Sequence, residues 1–398
     1  MTRGGASVVP SGIVYALYFV SIGVWTAYAT VYYDRLGVDL ALIGLLTALP
    51  AAVMIVGAPT WGLIADRLGD VRPPFLVAGL WAAGSMAVLA LGPPLPWLAL
   101  VVASIAVGTS GMSPLLDAST VERLGRDRHR FGQARAWGSL AFVGGSLGGG
   151  ILVAAAGIEA MFLPCVVSLV AAGVAAVLLL GRTRAADPAE RVGRVGPMRA
   201  LGLLREPSMG LFFVGSVVSW ACATGVMTFI SIRVTELGGD ARLAGVVWAV
   251  AGLSEVPLML LFPRLARRFP VPWLIVAGTV LFIIRSLVWT MTDSAFGLVL
   301  FTPLGGPGFA LVLVGTTALI AERTPSALRA TAQALFSGTT FAIGSILGAL
   351  LAGLIGSVAG IAAVFPASAA GSVVGTVLIW YAVARSPRAP GLAAPRAG

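Results

Sequence analysis

The sequence predicts an all-α integral membrane protein with twelve transmembrane helices in two pseudo-symmetric six-helix halves. Three observations predict this fold class. Hydrophobic residues make up 58% of the chain and charged residues 11%, and the mean hydropathy of +0.97 is outside the range of water-soluble domains. Apolar segments of about 20 residues, enough to cross a hydrocarbon core of about 30 Å, recur along the whole chain. The sequence also repeats with a period of about 200 residues.

Twelve predicted helices follow one another with short connections. Several are rich in Gly and Ala, as tightly packed membrane helices tend to be. The first is too long for a signal-peptide core and has no convincing small-residue cleavage site, so it is counted as a helix. The predicted spans are 12–33, 42–64, 74–92, 97–117, 134–156, 160–181, 208–232, 243–262, 272–291, 295–320, 331–355 and 360–384.

The positive charge is distributed unevenly between the two sides of these helices. The net charge is +10, and all 26 cationic residues are Arg. If the N-terminus is cytoplasmic, 21 of the 26 lie in cytoplasmic loops or at cytoplasmic helix ends. This positive-inside asymmetry predicts a multi-pass protein of the inner (plasma) membrane with both termini in the cytoplasm. The charge is therefore a topology signal, and nucleic acid is not an expected partner.

The longest polar stretch separates six predicted helices from six. It divides the chain into an N-terminal half, 1–180, a cytoplasmic linker, 181–207, a C-terminal half, 208–385, and a cytoplasmic tail, 386–398. Gln133-Ala134 recurs as Gln333-Ala334, and WGLIADRLG at 61–69 has a degraded counterpart, FPRLARRFP, at 262–270. Two parallel six-helix repeats form one known transporter architecture, with the substrate site between the halves.

Two acid–arginine pairs lie inside the hydrophobic stretches, Asp117 with Arg135 and Glu255 with Arg285. Such groups cost about 2.5–3.5 kcal/mol each on insertion, so they indicate function by default. Glu255 lies about 18 Å from the outer start of its helix and Arg285 about 20 Å from the inner start of its own, so both are expected near the midplane. The alternative is a structural ion pair between two helices. Asp117 and Arg135 lie nearer the cytoplasmic helix ends, where an interfacial salt bridge is the alternative.

Aromatic residues accompany these charges. Trp248 lies seven residues before Glu255 and hence on the same helical face, where it offers a platform for a ligand or packs against a neighbour. The first helix carries an aromatic stripe that either lines a cavity or serves packing and interface anchoring. Its members are Tyr15, Tyr18, Trp25, Tyr28 and Tyr32.

Cysteine and histidine give no sign of a metal site, a cofactor or an enzyme. Cys165 and Cys222 are isolated in predicted helices, and His129, the single histidine, lies in an arginine-rich loop. We find no nucleophile–base or metal-ligand spacing in the sequence. We therefore expect a protein that is not an enzyme and needs no cofactor.

Three motifs carry a family resemblance. GLIADRLGDVR at 62–72 resembles the signature between helices 2 and 3 of the major facilitator superfamily. SPLLD at 113–117 and FGQARAWG at 131–138 resemble the lactose-permease and phenylpropionate-permease-like branch, which has an acid and an arginine at the same spacing of 18. Glu255 and Arg285 match the second acid–arginine pair of that branch. The resemblance extends over nearly the whole chain.

The resemblance implies roles for particular residues. Asp117 and Arg135 would bind the substrate and influence proton affinity, and Phe142 would stack on a substrate ring. The loop signature would form a conformational gate, with Gly62, Asp66, Arg67, Gly69 and Arg72 as its members. The sequence departs from the family at Gly305 and Gly308, which stand where lactose permeases have the His and Glu of a proton relay. Asp117 and Glu255 would then be the proton carriers, and uniport or another coupling mode remains open.

The sequence therefore predicts a secondary transporter that works by alternating access, by resemblance a proton symporter. Its expected partners are the lipid bilayer, protons and a small polar or anionic organic solute, such as a sugar, nucleoside or aromatic acid. We expect a monomer. A drug or metabolite exporter of the same superfamily is the alternative within transport, and a polytopic membrane enzyme is the alternative from another class.

Overall fold

The computed structural model describes residues 7–182, 207–324 and 329–385, and within these ranges every regular element is a helix. Residues 183–206, most of the predicted linker, and the predicted tail, 386–398, lie outside the described residues. The helices are α1 (Val9–Arg35), α2 (Leu40–Leu68), α3 (Arg72–Ala90), α4 (Leu95–Leu124), α5 (Phe131–Ala156), α6 (Phe162–Leu179), α7 (Pro207–Glu236), α8 (Ala241–Arg268), α9 (Val271–Thr290), α10 in two parts (Ala295–Phe301 and Gly305–Arg323), α11 (Arg329–Ala359) and α12 (Ile361–Arg385).

All twelve predicted spans are confirmed, since 12 helical spans in the described chain are long and apolar enough to cross a membrane. The largest difference is at α4, which ends at Leu124 and not at residue 117 as predicted. Its last two turns are polar, so a hydropathy window ends before the helix does. Asp117 therefore lies two turns inside α4 and not at its end.

Aspartate side chains cap the N-termini of α2 and α8 in the same way. The Asp39 side chain accepts a hydrogen bond from the Leu42 backbone N–H at 3.0 Å, and Asp240 accepts one from Leu243 at 3.1 Å. Each carboxylate satisfies a backbone donor that the helix itself leaves unpaired. Gly69 ends α2 with a φ of 63°, a left-handed conformation that suits Gly.

The packing of the two halves follows a common pattern. In the N-terminal half, α1 packs on α5 and α6, α4 packs on α2 and α3, and α3 also packs on α6. The C-terminal half repeats this as α7 on α11 and α12, α10 on α8 and α9, and α9 on α12. The main contacts between the halves are α2 with α11 and α5 with α8. Replacing each helix by its counterpart in the other half converts one of these contacts into the other. The predicted pseudo-symmetry of the fold is thus visible in its helix contacts.

The halves meet most closely at the end of the bundle where α2 and α8 begin. Gly44 on α2 lies against the backbone of Ala349 and Gly353 on α11. Gly245 on α8 lies against the Ser146 carbonyl on α5 and the Tyr28 hydroxyl on α1. Tyr28 donates a hydrogen bond of 2.6 Å to the Ser146 carbonyl. We call this region the sealed end, and the arginine distribution predicts that it faces the cell exterior.

Candidate functional site

A cavity of about 450 Å³ lies between the two halves. Its wall is formed by α1, α2 and α5 from one half and by α7 to α11 from the other. This volume is in the range of small-molecule sites. Four of the sequence-predicted site residues line it, namely Phe142, Trp248, Glu255 and Arg285.

Arg285, in the fourth turn of α9, is the most buried charged residue of the cavity, with 5% of its surface exposed. Its Nη2 donates a hydrogen bond of 3.3 Å to the Ala223 carbonyl of α7. The guanidinium carbon lies 4.8 Å from the centre of the Trp289 ring and 5.6 Å from that of Phe282, so aromatic faces support the cation. Its Nε is buried and has no hydrogen-bond partner among the described residues.

Among the described residues, Glu255 and Arg285 do not form the expected ion pair. Both side chains line the cavity, but none of the ion pairs within the described chain joins them. The backbone explains the position of each. A Cβ at Gly305 would lie 2.5 Å from Arg285 Nη1, so the guanidinium occupies space that this glycine leaves. A Cβ at Gly306 would lie 2.8 Å from the Glu255 backbone N, so the missing side chain lets α8 and α10 approach at Glu255.

The same close packing accounts for the departure from the family pattern. A Cβ at Gly308 would lie 2.8 Å from the Gly278 carbonyl oxygen and 3.1 Å from the Phe282 ring. A His or Glu at 308 would require α9 and α10 to separate, and one at 305 would displace the Arg285 side chain. The glycines are therefore part of how α10 packs, and the charged residues that line the cavity come from α8 and α9.

The aromatic lining is larger than the sequence indicated. Trp25, Tyr33, Trp220 and Phe309 line the cavity together with the predicted Phe142 and Trp248. Of the stripe on α1, only Trp25 lines it, while Tyr15, Tyr18, Tyr28 and Tyr32 are buried by packing. A signal for the missed residues exists on α7, where Trp220, Thr224 and Thr228 lie four apart and share one face of an apolar helix.

Asp117 and Arg135 form the predicted pair, but outside this cavity. Arg135 Nη1 lies 3.0 Å from Asp117 Oδ1, and the side chains are 41% and 37% exposed, respectively. The buried Tyr15 hydroxyl donates a hydrogen bond of 2.5 Å to the same oxygen. The Arg135 guanidinium carbon lies 5.3 Å from the centre of the Phe19 ring. One carboxylate thus holds α1, α4 and α5 together.

The loop signature lies at the opposite end of α2 from the sealed end. Asp66 and Arg67 are exposed in its last turns, and Gly62 has open space where a Cβ would be. Arg72, the last signature residue, pairs with Asp70, which sequence reasoning did not select: Arg72 Nη2 lies 2.7 Å from Asp70 Oδ2, and Nε lies 3.1 Å from both oxygens. These hydrogen bonds from Arg72 lower the pKa of Asp70, with a smaller contribution from Arg182.

Comparison with known proteins agrees with this architecture. A model of the MFS_1 like family matches residues 11–367. The maltose permease of Geobacillus stearothermophilus is 24% identical over 311 residues, covering 77% of this chain and 76% of the relative. The probable 3-phenylpropionic acid transporter of Escherichia coli (strain K12) is 25% identical over 345 residues, covering 83% and 88%.

Among solved structures, the nucleoside transporter NupG superimposes with a TM-score of 0.82 at 17% identity, covering 95% of this chain and 99% of NupG. A bacterial homolog of the human lysosomal transporter Spinster, in an inward-facing and unoccupied conformation, gives a TM-score of 0.76 at 17% identity, covering 94% and 96%. At these identities the likeness shows the fold. Because the family model covers most of the sequence, the chain belongs to the MFS_1 like family of major facilitator superfamily transporters.

Proposed function

We propose that this transporter carries a small polar or anionic organic solute by alternating access and couples that movement to protons. The observation that carries the proposal is the cavity between the halves, which combines a buried cation, a carboxylate and several aromatic rings. The relatives that match most of the chain are a maltose permease and a 3-phenylpropionic acid transporter. Their names support a sugar or an aromatic acid as the substrate class, and the likeness to NupG adds nucleosides.

The alternating-access part rests on how unequally the two ends of the bundle are packed. At the sealed end, backbone meets backbone across the halves at Gly44 and Gly245. Towards the other end, the Asp117 and Arg135 side chains are more than one-third exposed. In this proposal the conformation is inward-facing, and transport requires the sealed end to open while the loop-signature end closes.

Glu255 is the proposed proton carrier. It lines the cavity, it is half-buried, and the described part of the chain provides no ion pair for its carboxylate. A carboxylate in such a site can gain and lose a proton with the conformation, because its solvent access changes. Asp117 is less suited in this conformation, since it already accepts hydrogen bonds from Arg135 and Tyr15.

Proteoliposomes test the proposal. Uptake of radiolabelled maltose, 3-phenylpropionate and uridine is measured with and without an inward proton gradient. We expect the gradient to drive accumulation of one of these solutes. Glu255→Gln should abolish that accumulation but retain gradient-independent exchange of the solute. Glu322→Gln, at an exposed position on α10, is the matched control and should behave as the wild type. Accumulation by Glu255→Gln equal to that of the control would exclude Glu255 as the proton carrier.

A further inference from the structure

Two residues that line the cavity each carry a buried polar atom with no hydrogen-bond partner in the described chain, Nε of Arg285 and the hydroxyl of Tyr33. Both residues are almost fully buried, at 5% and 2% exposure. A buried donor without a partner costs about 1–3 kcal/mol, and more when the group is charged. The positive charge of Arg285, a residue that lines the cavity, is therefore the feature that a bound anion would compensate.

Most other donors in the cavity are already engaged. The Trp220 and Trp248 indole N–H groups donate to Ser345 at 3.1 Å and Ser231 at 3.0 Å. The hydroxyls of four lining threonines donate to carbonyls of their own helices; these are Thr47, Thr224, Thr228 and Thr302. The indole rings are thereby fixed, and they offer the ligand their faces and not their N–H groups.

The charges of the cavity favour an anion with a single negative charge. Arg285 is held by a carbonyl and by the Trp289 and Phe282 rings, and no carboxylate neutralises it within the described residues. Glu255 lines the same cavity and would repel a second negative charge on the ligand. A monocarboxylate can take two parallel N–H donors from a guanidinium.

Building on the proposed function, we infer that the substrate is an organic monocarboxylate that carries a flat apolar ring. Its carboxylate binds the Arg285 guanidinium from the cavity. Its ring lies between the faces of aromatic side chains, among them Trp220 and Trp248, whose indole N–H groups are held by hydrogen bonds. Aromatic faces bind a planar ring by offset stacking or edge contacts. A cavity of about 450 Å³ has room for an acid of this size.

The test compares acids with their own neutral amides. Benzoate, phenylacetate and 3-phenylpropionate, each with its primary amide, are titrated calorimetrically into the full-length protein in lipid nanodiscs. Maltose and uridine are titrated in parallel. We expect at least one acid to bind about 10- to 100-fold more tightly than its amide, the ratio expected for a hydrogen-bonded charged group. The wild-type ratio depends on no variant, so it is informative even if a variant fails to fold.

Two substitutions test whether Arg285 causes the preference for the acid over its amide. Arg285→Gln should bring the acid-to-amide ratio close to one, and Arg285→Lys should restore part of it because the charge remains. Arg233→Gln is the control, since Arg233 pairs with Glu236 at the end of α7, away from the cavity. An acid preference that survives in Arg285→Gln would overturn the assignment.

Failure of this inference can be told apart from failure of the proposed function. If maltose or uridine binds and accumulates while the acids do not bind, the inference is wrong and the transport proposal stands. Equal binding of acid and amide to the wild type also overturns the inference. If none of the acids binds, the inference is wrong, and the proteoliposome assay with the other solutes decides the proposed function separately.

Discussion

Gly245→Ala perturbs the sealed end by a single methyl group. A Cβ at this position would lie 3.1 Å from the Ser146 carbonyl carbon and still closer to its oxygen and to the Tyr28 hydroxyl. The carbonyl belongs to the backbone of α5 and cannot turn aside, as the end of a flexible side chain could. The methyl group therefore requires α5 and α8 to separate at this point. It also disturbs the hydrogen bond of 2.6 Å between Tyr28 and Ser146.

The added methyl group destabilises only the conformation in which the sealed end is closed. Overpacking of this kind costs about 1–3 kcal/mol, and the proposed opening of the sealed end removes the contact. The equilibrium should shift towards the open form by about 5- to 150-fold. Overall stability should not fall by the same amount, because Ala is a better helix former than Gly by up to about 1 kcal/mol.

Cysteine accessibility measures the shift. Thr47 lines the cavity one turn beyond Gly44, so Thr47→Cys reports on access when Cys165 and Cys222 are replaced by Ser. A membrane-impermeant maleimide added on the predicted extracellular side should label this cysteine several-fold faster in Gly245→Ala. Gly84→Ala is the matched control, because a Cβ there meets no atom within 4 Å. Equal labelling rates in the two variants would refute the conclusion that this glycine contact closes the sealed end.

Two further predictions concern the loop-signature end. The pKa of Asp70 is lowered by Arg72 from an ordinary value of 3.8, so its stabilising contribution is present above that value and is lost as the pH falls through the lower folded pKa. Asp70→Asn should therefore lower thermal stability at pH 7, and its difference from the wild type should shrink as the pH falls below 3.8; a difference that does not change below that pH would contradict this. Asp66→Asn should slow conformational cycling with little change in substrate affinity, if the signature acts as a gate. Stopped-flow transport and equilibrium binding on the same preparation separate the two effects, and a changed affinity with unchanged turnover would argue for a ligand role.

Features that depend on one helix at a time could be predicted from the sequence. The twelve spans follow from the length of apolar segments, and the duplication follows from recurring short runs. The positions of Trp248, Glu255 and Arg285 were predictable because helical depth and facing can be counted along the chain, whereas Phe142 was implied by the family resemblance. The Asp117–Arg135 ion pair was also predictable, since their spacing matches a known motif.

Features that depend on the approach of two backbones could not be predicted in this way. Glu255 and Arg285 do not pair because of how α10 packs against them at Gly305 and Gly306. Counting residues along each helix gives the depth of a side chain but not this packing. The role of Tyr15 depends on the crossing of α1 and α4, which brings its hydroxyl to Asp117 over 102 residues of sequence. The partner of Arg72 was missed for a different reason. Asp70 lies within the loop signature, but a signature gives residue types and not which of two acids a guanidinium reaches.

The two acid–arginine pairs look equivalent in the sequence, but their surroundings differ in a way that bears on mechanism. Asp117 and Arg135 neutralise each other, and Tyr15 bonds the same carboxylate oxygen, so this pair mainly fixes helices of the N-terminal half. Glu255 and Arg285 share a cavity without neutralising each other. A ligand anion at Arg285 and a proton at Glu255 would each reduce an uncompensated charge, and each would make the other's binding more favourable. Coupling can therefore arise from electrostatics within one half of the protein, without a relay on α10.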